Sequence, residues 1–214
     1  MTILIIDTST ELCLIALSQE GTVVAESISS HQNRLSKVLL PAIQTLLQKQ
    51  NLTPSDLKGI ALGIGPGSYT GTRLGASVAK TLSFALGIPL YPFHSPCAFI
   101  PSCTGSFAFL IATKPGPYFV LKGSLQGDCL IQESSCLVSP EELAACLESV
   151  NLLIHSASEP LPPFLSSKPS MHASPNLPLL AAFLASIPPS DPATVSIEYL
   201  HTPHLLLKNI LPIP

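Results

Sequence analysis

The stretch that decides the fold of this chain is Gly63-Ile64-Gly65-Pro66-Gly67-Ser68-Tyr69-Thr70-Gly71-Thr72-Arg73-Leu74-Gly75. An apolar run from Ile60 to Ile64 leads into it, and a helical pattern follows from about Leu74. The order is therefore a strand, a turn with exposed backbone, and the start of a helix. Glycines let backbone N–H groups approach a partner closely, and a helix N-terminus adds partial positive charge. The stretch predicts an anion or phosphate loop, with a purely structural loop as the alternative.

Composition limits the classes of protein that this chain can represent. Its 214 residues suffice for one large domain or two small lobes, and its formal net charge is -3 with 11% charged residues. Without a basic patch, we do not expect the chain to bind nucleic acid alone. The mean hydropathy of +0.46 suggests that another subunit covers some apolar surface.

The N-terminus and the cysteines predict a cytoplasmic protein. Residues 1–7 lack the basic region of a signal peptide, and no apolar run reaches the length of a membrane span. The six cysteines form no C-x-x-C pair, so we expect reduced thiols rather than a disulfide framework.

Hydrophobic periodicity predicts two lobes with the same order of elements. The first lobe, residues 1–101, is expected to hold strands at 3–7, 12–18, 22–29 and 57–63 and helices at 33–50 and 72–86. The second lobe, residues 102–214, is expected to hold strands at 107–113, 118–124, 129–133 and 151–156 and helices at 141–150 and 179–185. No glycine follows Gly127 and prolines cluster after residue 150, which indicates a reduced lobe with long, bent connections.

Common catalytic and nucleotide motifs are missing. The glycine stretch lacks the Gly-Lys-Ser/Thr of a P-loop, and the region from Gly71 to Cys97 contains no acidic residue for a dinucleotide fingerprint. There is no G-x-S-x-G elbow, and the histidines form no i,i+4 pair that could bind zinc on a helix. We therefore expect no catalytic residue, no metal and no cofactor in the isolated chain.

Asp7-Thr8-Ser9, at the end of the first strand, resembles the first phosphate loop of the actin/Hsp70/sugar-kinase superfamily, with Ser9 in place of a glycine. The alternative is that these side chains only satisfy turn N–H groups. Arg73 could clamp an anion or could tie the loop through its carbonyls. The residues of a vestigial phosphate loop or structural loop are Asp7, Thr8, Ser9, Gly65, Gly67, Ser68, Thr70, Gly71 and Arg73.

Together these residues resemble the TsaB (YeaZ) family. The resemblance rests on residues 3–9, Ser30-His31, Leu39-Leu40-Pro41, residues 63–75, Ala79-Lys80 and Gly87-Ile88-Pro89. It implies an actin-like, two-lobed α/β fold. It also implies the role of a non-catalytic dimerisation subunit in the complex that makes threonylcarbamoyladenosine in tRNA.

The resemblance further implies partners. The chain would pair through its first-lobe helices with a TsaD-like catalytic paralogue, and a TsaE-like ATPase would join the full complex. It would contact tRNA only through that complex. In the absence of the paralogue it could form a homodimer. We expect contact, or its immediate support, from Leu39, Ile43, Ala76, Ala79, Lys80 and Ser83. The TsaD-type subunit carries a metal-binding His-x-x-x-His, whose positions here hold His94 and Ala98, so the pair is broken.

The start of the second lobe departs from the family pattern. Ala112-Thr113-Lys114 and Gly116-Pro117-Tyr118 stand where the family has an acidic residue and a glutamate. The rival interpretations are an ATP-binding hydrolase or kinase that uses Asp7, and a glycoprotease-type peptidase. The glycine-free second lobe argues against the first, and the broken histidine pair argues against the second.

Overall fold

The computed structural model describes residues 1–30, 35–113, 116–127, 129–156 and 161–199. The first lobe contains β1 (Thr2–Asp7), β2 (Leu12–Gln19), β3 (Thr22–Ser30), β4 (Gly59–Gly63) and β5 (Leu90–Phe93) in the order β3-β2-β1-β4-β5. Strands β1, β2 and β3 are antiparallel neighbours, and β4 and β5 continue the sheet in parallel with β1.

Both faces of this sheet are covered. Helices α1 (Leu35–Lys49) and α2 (Tyr69–Leu86) pack on the face that includes Leu4 and Ile6. The opposite face, with Ile3 and Ile5, packs against the second lobe. Because side chains alternate between the faces of a strand, a strand buried on both sides is apolar throughout, as the run before Asp7 is.

The second lobe repeats the first. Its strands are β6 (Gly105–Ala112), β7 (Tyr118–Gln126), β8 (Cys129–Val138), β9 (Leu152–His155) and β10 (Ser170–His172), in the order β10-β9-β6-β7-β8. Strands β6, β7 and β8 form the antiparallel half, while β9 and β10 add in parallel to β6. This is the same topology as in the first sheet, so the predicted two-lobed α/β fold and its duplicated order of elements are confirmed.

The structure contains two strands that the sequence analysis did not predict. Strand β5 was missed because Pro92 lies inside it; this edge position tolerates a proline. Strand β10 is only three residues long and was also missed. The start predicted for the first helix, at residue 33, lies outside the described residues.

Helix α3 (Leu143–Cys146) is shorter than the predicted 141–150. The expected capping residues are in place, since Ser139 Oγ lies 3.0 Å from Glu142 Oε2. The helix ends early because lysine side chains take carbonyls of the following turn. Lys168 Nζ donates to Leu147 O at 2.7 Å and to Val150 O at 3.1 Å, and Lys122 Nζ donates to Cys146 O.

After α4 (Leu177–Phe183) the chain returns to the first lobe. Ser190 and Leu90 exchange backbone hydrogen bonds of 2.7 and 3.1 Å at the edge of β5. Val195 is then buried in the first-lobe core beside α2. We call residues 190–199 the return segment. In the part of the chain that the structure describes, no helix combines the length and apolarity needed to cross a bilayer.

Candidate functional site

The glycine stretch packs directly on the hairpin turn that follows β1. A Cβ atom at Gly71 would lie 2.1 Å from the carbonyl oxygen of Thr8, and one at Gly67 would lie 2.2 Å from the carbonyl oxygen of Ser9. At Gly75 the added carbon would lie 2.3 Å from Thr8 Oγ1. These separations are far below van der Waals contact. The glycines therefore permit close approach of the chain to itself at the place where a phosphate loop would approach its ligand.

Hydrogen bonds join the two loops. The Ser68 N–H donates to Ser9 O at 2.6 Å, and the Thr8 hydroxyl donates to Gly71 O at 2.8 Å. At the start of α2, the Ser68 hydroxyl accepts from the Gly71 N–H at 3.2 Å, an ordinary N-cap. Ser68 thus accepts from the N–H groups of Gly71 and Thr72 at the helix start. Ser68, Thr70 and Arg73 are the exposed members of the predicted loop set.

Gly65 connects the loop to two further segments. Its N–H donates to Ser95 Oγ at 3.0 Å, and its carbonyl accepts from the Ser95 N–H at 2.8 Å. Gly65 has a φ of +99°, and a Cβ there would lie 2.6 Å from Glu198 O of the return segment. Both the positive φ and the nearby Glu198 carbonyl exclude a side chain at position 65.

Asp7 is fully buried behind this turn. Its Oδ1 accepts from the Ser9 N–H at 2.9 Å and from the Ser9 hydroxyl at 2.8 Å. Its Oδ2 lies against Gly63 and has no hydrogen-bond partner of normal geometry among the described residues. Burial raises the pKa of the Asp7 carboxyl, and the nearby Ser95 and Ser9 groups only partly offset this.

Arg73 points away from the loop carbonyls. Its guanidinium stacks 3.9 Å from the ring centroid of Tyr69, and its Nε donates to the Tyr199 hydroxyl at 2.8 Å. The two tyrosine rings are themselves 5.0 Å apart. Arg73 therefore links the start of α2 to the return segment, which is neither of the two roles considered from the sequence.

His94 and Ala98 occupy the positions of the broken histidine pair. His94 Nδ1 lies 3.0 Å from a carboxylate oxygen of Glu198, and its Nε2 lies 3.4 Å from Ser135 Oγ. Ala98 is buried in the core between the lobes. Among the described residues, no group of three or more His, Cys, Asp or Glu side chains is placed to hold a metal ion.

A cleft of about 270 Å³ opens between the lobes. Its walls are mainly apolar and include Leu12, Phe99 and Phe109, while Ser9, Ser95 and Gly67 belong to the glycine-loop side. Such a cleft is the place where two-lobed proteins of this architecture could take a ligand. In this protein the inner surface of the cleft consists mainly of apolar side-chain atoms.

The structure places most of the predicted interface residues inside the first lobe. Leu39, Ile43, Ala76, Ala79 and Ser83 are buried, and Lys80 is half-buried with its ammonium 2.6 Å from Val195 O. While the lobe is folded, the buried side chains can only support a partner surface from beneath. The exposed surface of these helices is formed by other residues, notably Leu40 and Phe84, which are 53% and 83% exposed.

Sequence reasoning missed the return segment as part of this region. Val195, Ile197 and Tyr199 alternate with polar residues, a pattern typical of an extended segment with one apolar side. That alternation was available in the sequence. The clustered prolines around it led us to expect a bent connection there instead of an extended segment.

The fold defines the class: a two-lobed α/β protein with paired five-stranded sheets. A family-level comparison matches residues 17–111 to TsaD, tRNA N6-adenosine threonylcarbamoyltransferase. The tRNA threonylcarbamoyladenosine biosynthesis protein TsaB of Bacillus subtilis is 47% identical over 90 residues, which cover 42% of this chain and 39% of the relative. TsaB of Escherichia coli is 37% identical over 90 residues, covering 42% of this chain and 38% of the relative.

The structural comparison extends over nearly the whole chain. YeaZ from Pseudomonas aeruginosa superposes with a TM-score of 0.73 and 23% identity, covering 93% of this chain and 99% of that chain. This shows a shared fold. The sequence similarity to TsaB proteins is confined to the first lobe. The matched segment spans only about two fifths of the length of the curated relatives.

Proposed function

We propose that this chain is a non-catalytic, partner-binding subunit of a cytoplasmic complex that adds a threonylcarbamoyl group to adenosine in tRNA. The observation that carries the proposal is the occupied glycine loop, in which Thr8 and Ser9 lie where a phosphate would have to enter. A loop filled by its own hairpin can hold a surface rigid but cannot close around a nucleotide. The sequence similarity to TsaB is the reason for assigning the chain to tRNA modification.

The surface offered to a partner is the outer side of α2 together with the adjoining part of α1. Along α2 the exposed side chains recur every three or four residues: Thr70, Arg73, Ser77, Thr81 and Phe84. A groove lined by Leu35 and Ser36 of α1 and by Leu74 and Ser77 of α2 continues this surface onto the first helix. Small hydroxyl side chains flanked by half-buried apolar ones permit close packing of helices from another subunit.

The partner that fits is a TsaD-like paralogue, which would carry the metal and the chemistry. A TsaE-like ATPase would join the assembled pair, and tRNA would be contacted through the complex. Without the paralogue, the same helix surface would support a homodimer.

Co-expression with a TsaD-like paralogue tests the proposal. Wild-type chain should co-purify as a heterodimer, and Thr81→Glu should reduce association at least tenfold because it places a charge at the centre of the helix surface. Thr22→Glu, an exposed change on β3, is the matched control and should leave association unchanged. Equal association of all three proteins would overturn the proposed surface.

The role in tRNA modification is tested separately by complementation of a strain depleted of its own TsaB. Restored threonylcarbamoyladenosine in tRNA is expected with the wild-type chain and not with Thr81→Glu. No restoration by the wild-type chain would overturn the assigned process.

A nucleotide hydrolase is the second candidate, favoured by the unpartnered oxygen of Asp7 at the end of β1. Titration calorimetry with Mg-ATP distinguishes the two functions. Micromolar binding with turnover that is lost in Asp7→Asn would establish the enzyme and remove the scaffold proposal.

A further inference from the structure

Cys136 and Cys146 lie on the outer face of the second sheet, away from the glycine loop and from the helix surface proposed for a partner. Cys136 of β8 is paired with Val120 of β7, so both side chains lie on the same face of the sheet. Val120 belongs to the hydrophobic cluster beneath α3, and Cys146 of α3 packs against that cluster. The strand cysteine and the helix cysteine therefore share one layer.

Lys122 binds the C-terminal end of α3 to the same face of the sheet. It is two residues from Val120 on β7, hence on the same face, and its ammonium donates to the carbonyl of Cys146. Cys136 is exposed and Cys146 is half-buried, and both are free thiols. Burial and the Cys146 thiol raise the pKa of the Cys136 thiol, and the charge of Lys122 opposes them.

We propose that Cys136 and Cys146 form an intramolecular disulfide by exchange with a low-molecular-weight disulfide such as oxidised glutathione. The exposed Cys136 thiolate attacks the small disulfide, forming a mixed disulfide and releasing one small thiolate. The Cys146 thiolate then attacks the Cys136 sulfur and releases the second. The protein loses two electrons and two protons, and the small disulfide is reduced to two thiols.

The geometry favours this pair over the other exposed cysteine of the same strand. Cys129 is seven residues from Cys136, about 23 Å along an extended strand. Cys146, by contrast, packs against the cluster that contains Val120, the cross-strand partner of Cys136, and Lys122 of the same face bonds to the Cys146 carbonyl. The bond would tie strand β8, the edge of its sheet, to the helix that covers it.

The test exposes the folded, reduced chain to millimolar oxidised glutathione and then blocks free thiols. Compared with the reduced chain blocked in the same way, the oxidised chain should carry two fewer blocking groups, and the linked pair itself should be about 2 Da lighter because the disulfide removes two hydrogens. Cleavage after glutamate should then yield peptide 134–141, or 134–142 where the bond after Glu141 is left intact, linked to peptide 143–148, with Cys129 on a separate peptide. The oxidised chain should melt at a higher temperature than the reduced chain, and a dithiol reductant should reverse the shift.

Cys146→Ser is the matched variant. It should accumulate a mixed disulfide at Cys136 and show no rise in melting temperature, whereas Cys129→Ser should behave as the wild type. The same reaction in concentrated urea should lose its preference for the 136–146 pair if the fold directs the reaction. Recovery of Cys136 and Cys146 as separate mixed or unmodified thiols from the folded wild-type chain, or a link to Cys129, would overturn the proposal.

Discussion

The hydroxyl of Thr8 donates a 2.8 Å hydrogen bond to the carbonyl of Gly71, across 63 positions of sequence. This bond joins the turn after the first strand to the first turn of α2. The glycines around it remove every side chain that would separate the two segments. Through this contact the glycine stretch, which has the composition of a ligand-binding loop, packs inside the first lobe.

Adding a methyl group at Gly71 should damage this contact. We expect Gly71→Ala to lower the free energy of unfolding by about 1–3 kcal/mol, because the new carbon would overlap the Thr8 backbone. Ser77→Ala, an exposed change in the same helix, is the control and should alter it by less than about 0.5 kcal/mol. Urea unfolding measures both. An unchanged midpoint for Gly71→Ala would show that the loops are not in contact.

Gly75→Ala should differ from Gly71→Ala in one respect. Its added carbon would meet the Thr8 side chain rather than the Thr8 backbone. Thr8→Ala should therefore recover part of the stability lost in Gly75→Ala and none of that lost in Gly71→Ala. A double-mutant cycle for each pair measures the difference. Equal coupling in both cycles would contradict this arrangement.

Asp7 should make the fold less stable as the pH rises. Burial raises the pKa of Asp7 above its ordinary 3.8, so the folded state holds the proton more tightly than the unfolded chain. Stability is therefore highest below the unfolded value, falls as the pH passes through the folded pKa, and remains reduced above it.

Asp7→Asn should raise stability at neutral pH and flatten that part of the pH profile, since an amide keeps the acceptor for Ser9 without a buried charge. Denaturant midpoints between about pH 4 and pH 8 measure the effect. A less stable Asp7→Asn protein at neutral pH would indicate that the native carboxylate is compensated by a bound cation.

Ala79→Glu should unfold the first lobe, although the sequence analysis assigned Ala79 to partner contact or its support. Ala79 is completely buried, so the change leaves an unpaired charge in the core, at a cost of about 3–5 kcal/mol. Phe84→Glu, at an exposed position of the same helix, should leave the melting temperature nearly unchanged. Circular dichroism melts compare the two. Similar melting of both variants would refute the placement of α2.

The return segment should stabilise the first lobe. Val195→Ala removes two buried methyl groups and should cost roughly 1–2 kcal/mol. Ser196→Ala, at the exposed neighbouring position, should cost little. Chemical denaturation compares them. If both changes are silent, the segment does not pack against α2 in solution.

Much of the fold could be predicted because the signals are local. Alternating or continuous apolar residues predicted the strands. Gly87 marked the end of the second helix, whose observed start at Tyr69 lies three residues before the predicted start at Thr72. The capping box at Ser139 was also visible, yet α3 ended early, because lysines from distant strands and turns took its carbonyls. Helix length in that place depends on tertiary contacts.

The candidate site was predicted in composition but only partly in arrangement. The sequence assigned Asp7 and the glycines to one set of candidate loop residues. It could not show that Thr8 and Ser9 fill the space between them, or that Arg73 turns to Tyr199. It also placed buried residues such as Ala79 at a partner surface, because a helix of small residues does not reveal which side its own lobe covers.

The sequence alone determined the class of this protein: the periodicity of its strands and helices, and a glycine stretch that only a close backbone contact would require. The tertiary structure decided what makes that contact, which side chains remain outside, and which two cysteines share one layer of the second lobe. These are outcomes of residues brought together from distant parts of the chain. Local propensity cannot specify them, because each depends on how the two lobes and the return segment exclude water from one another.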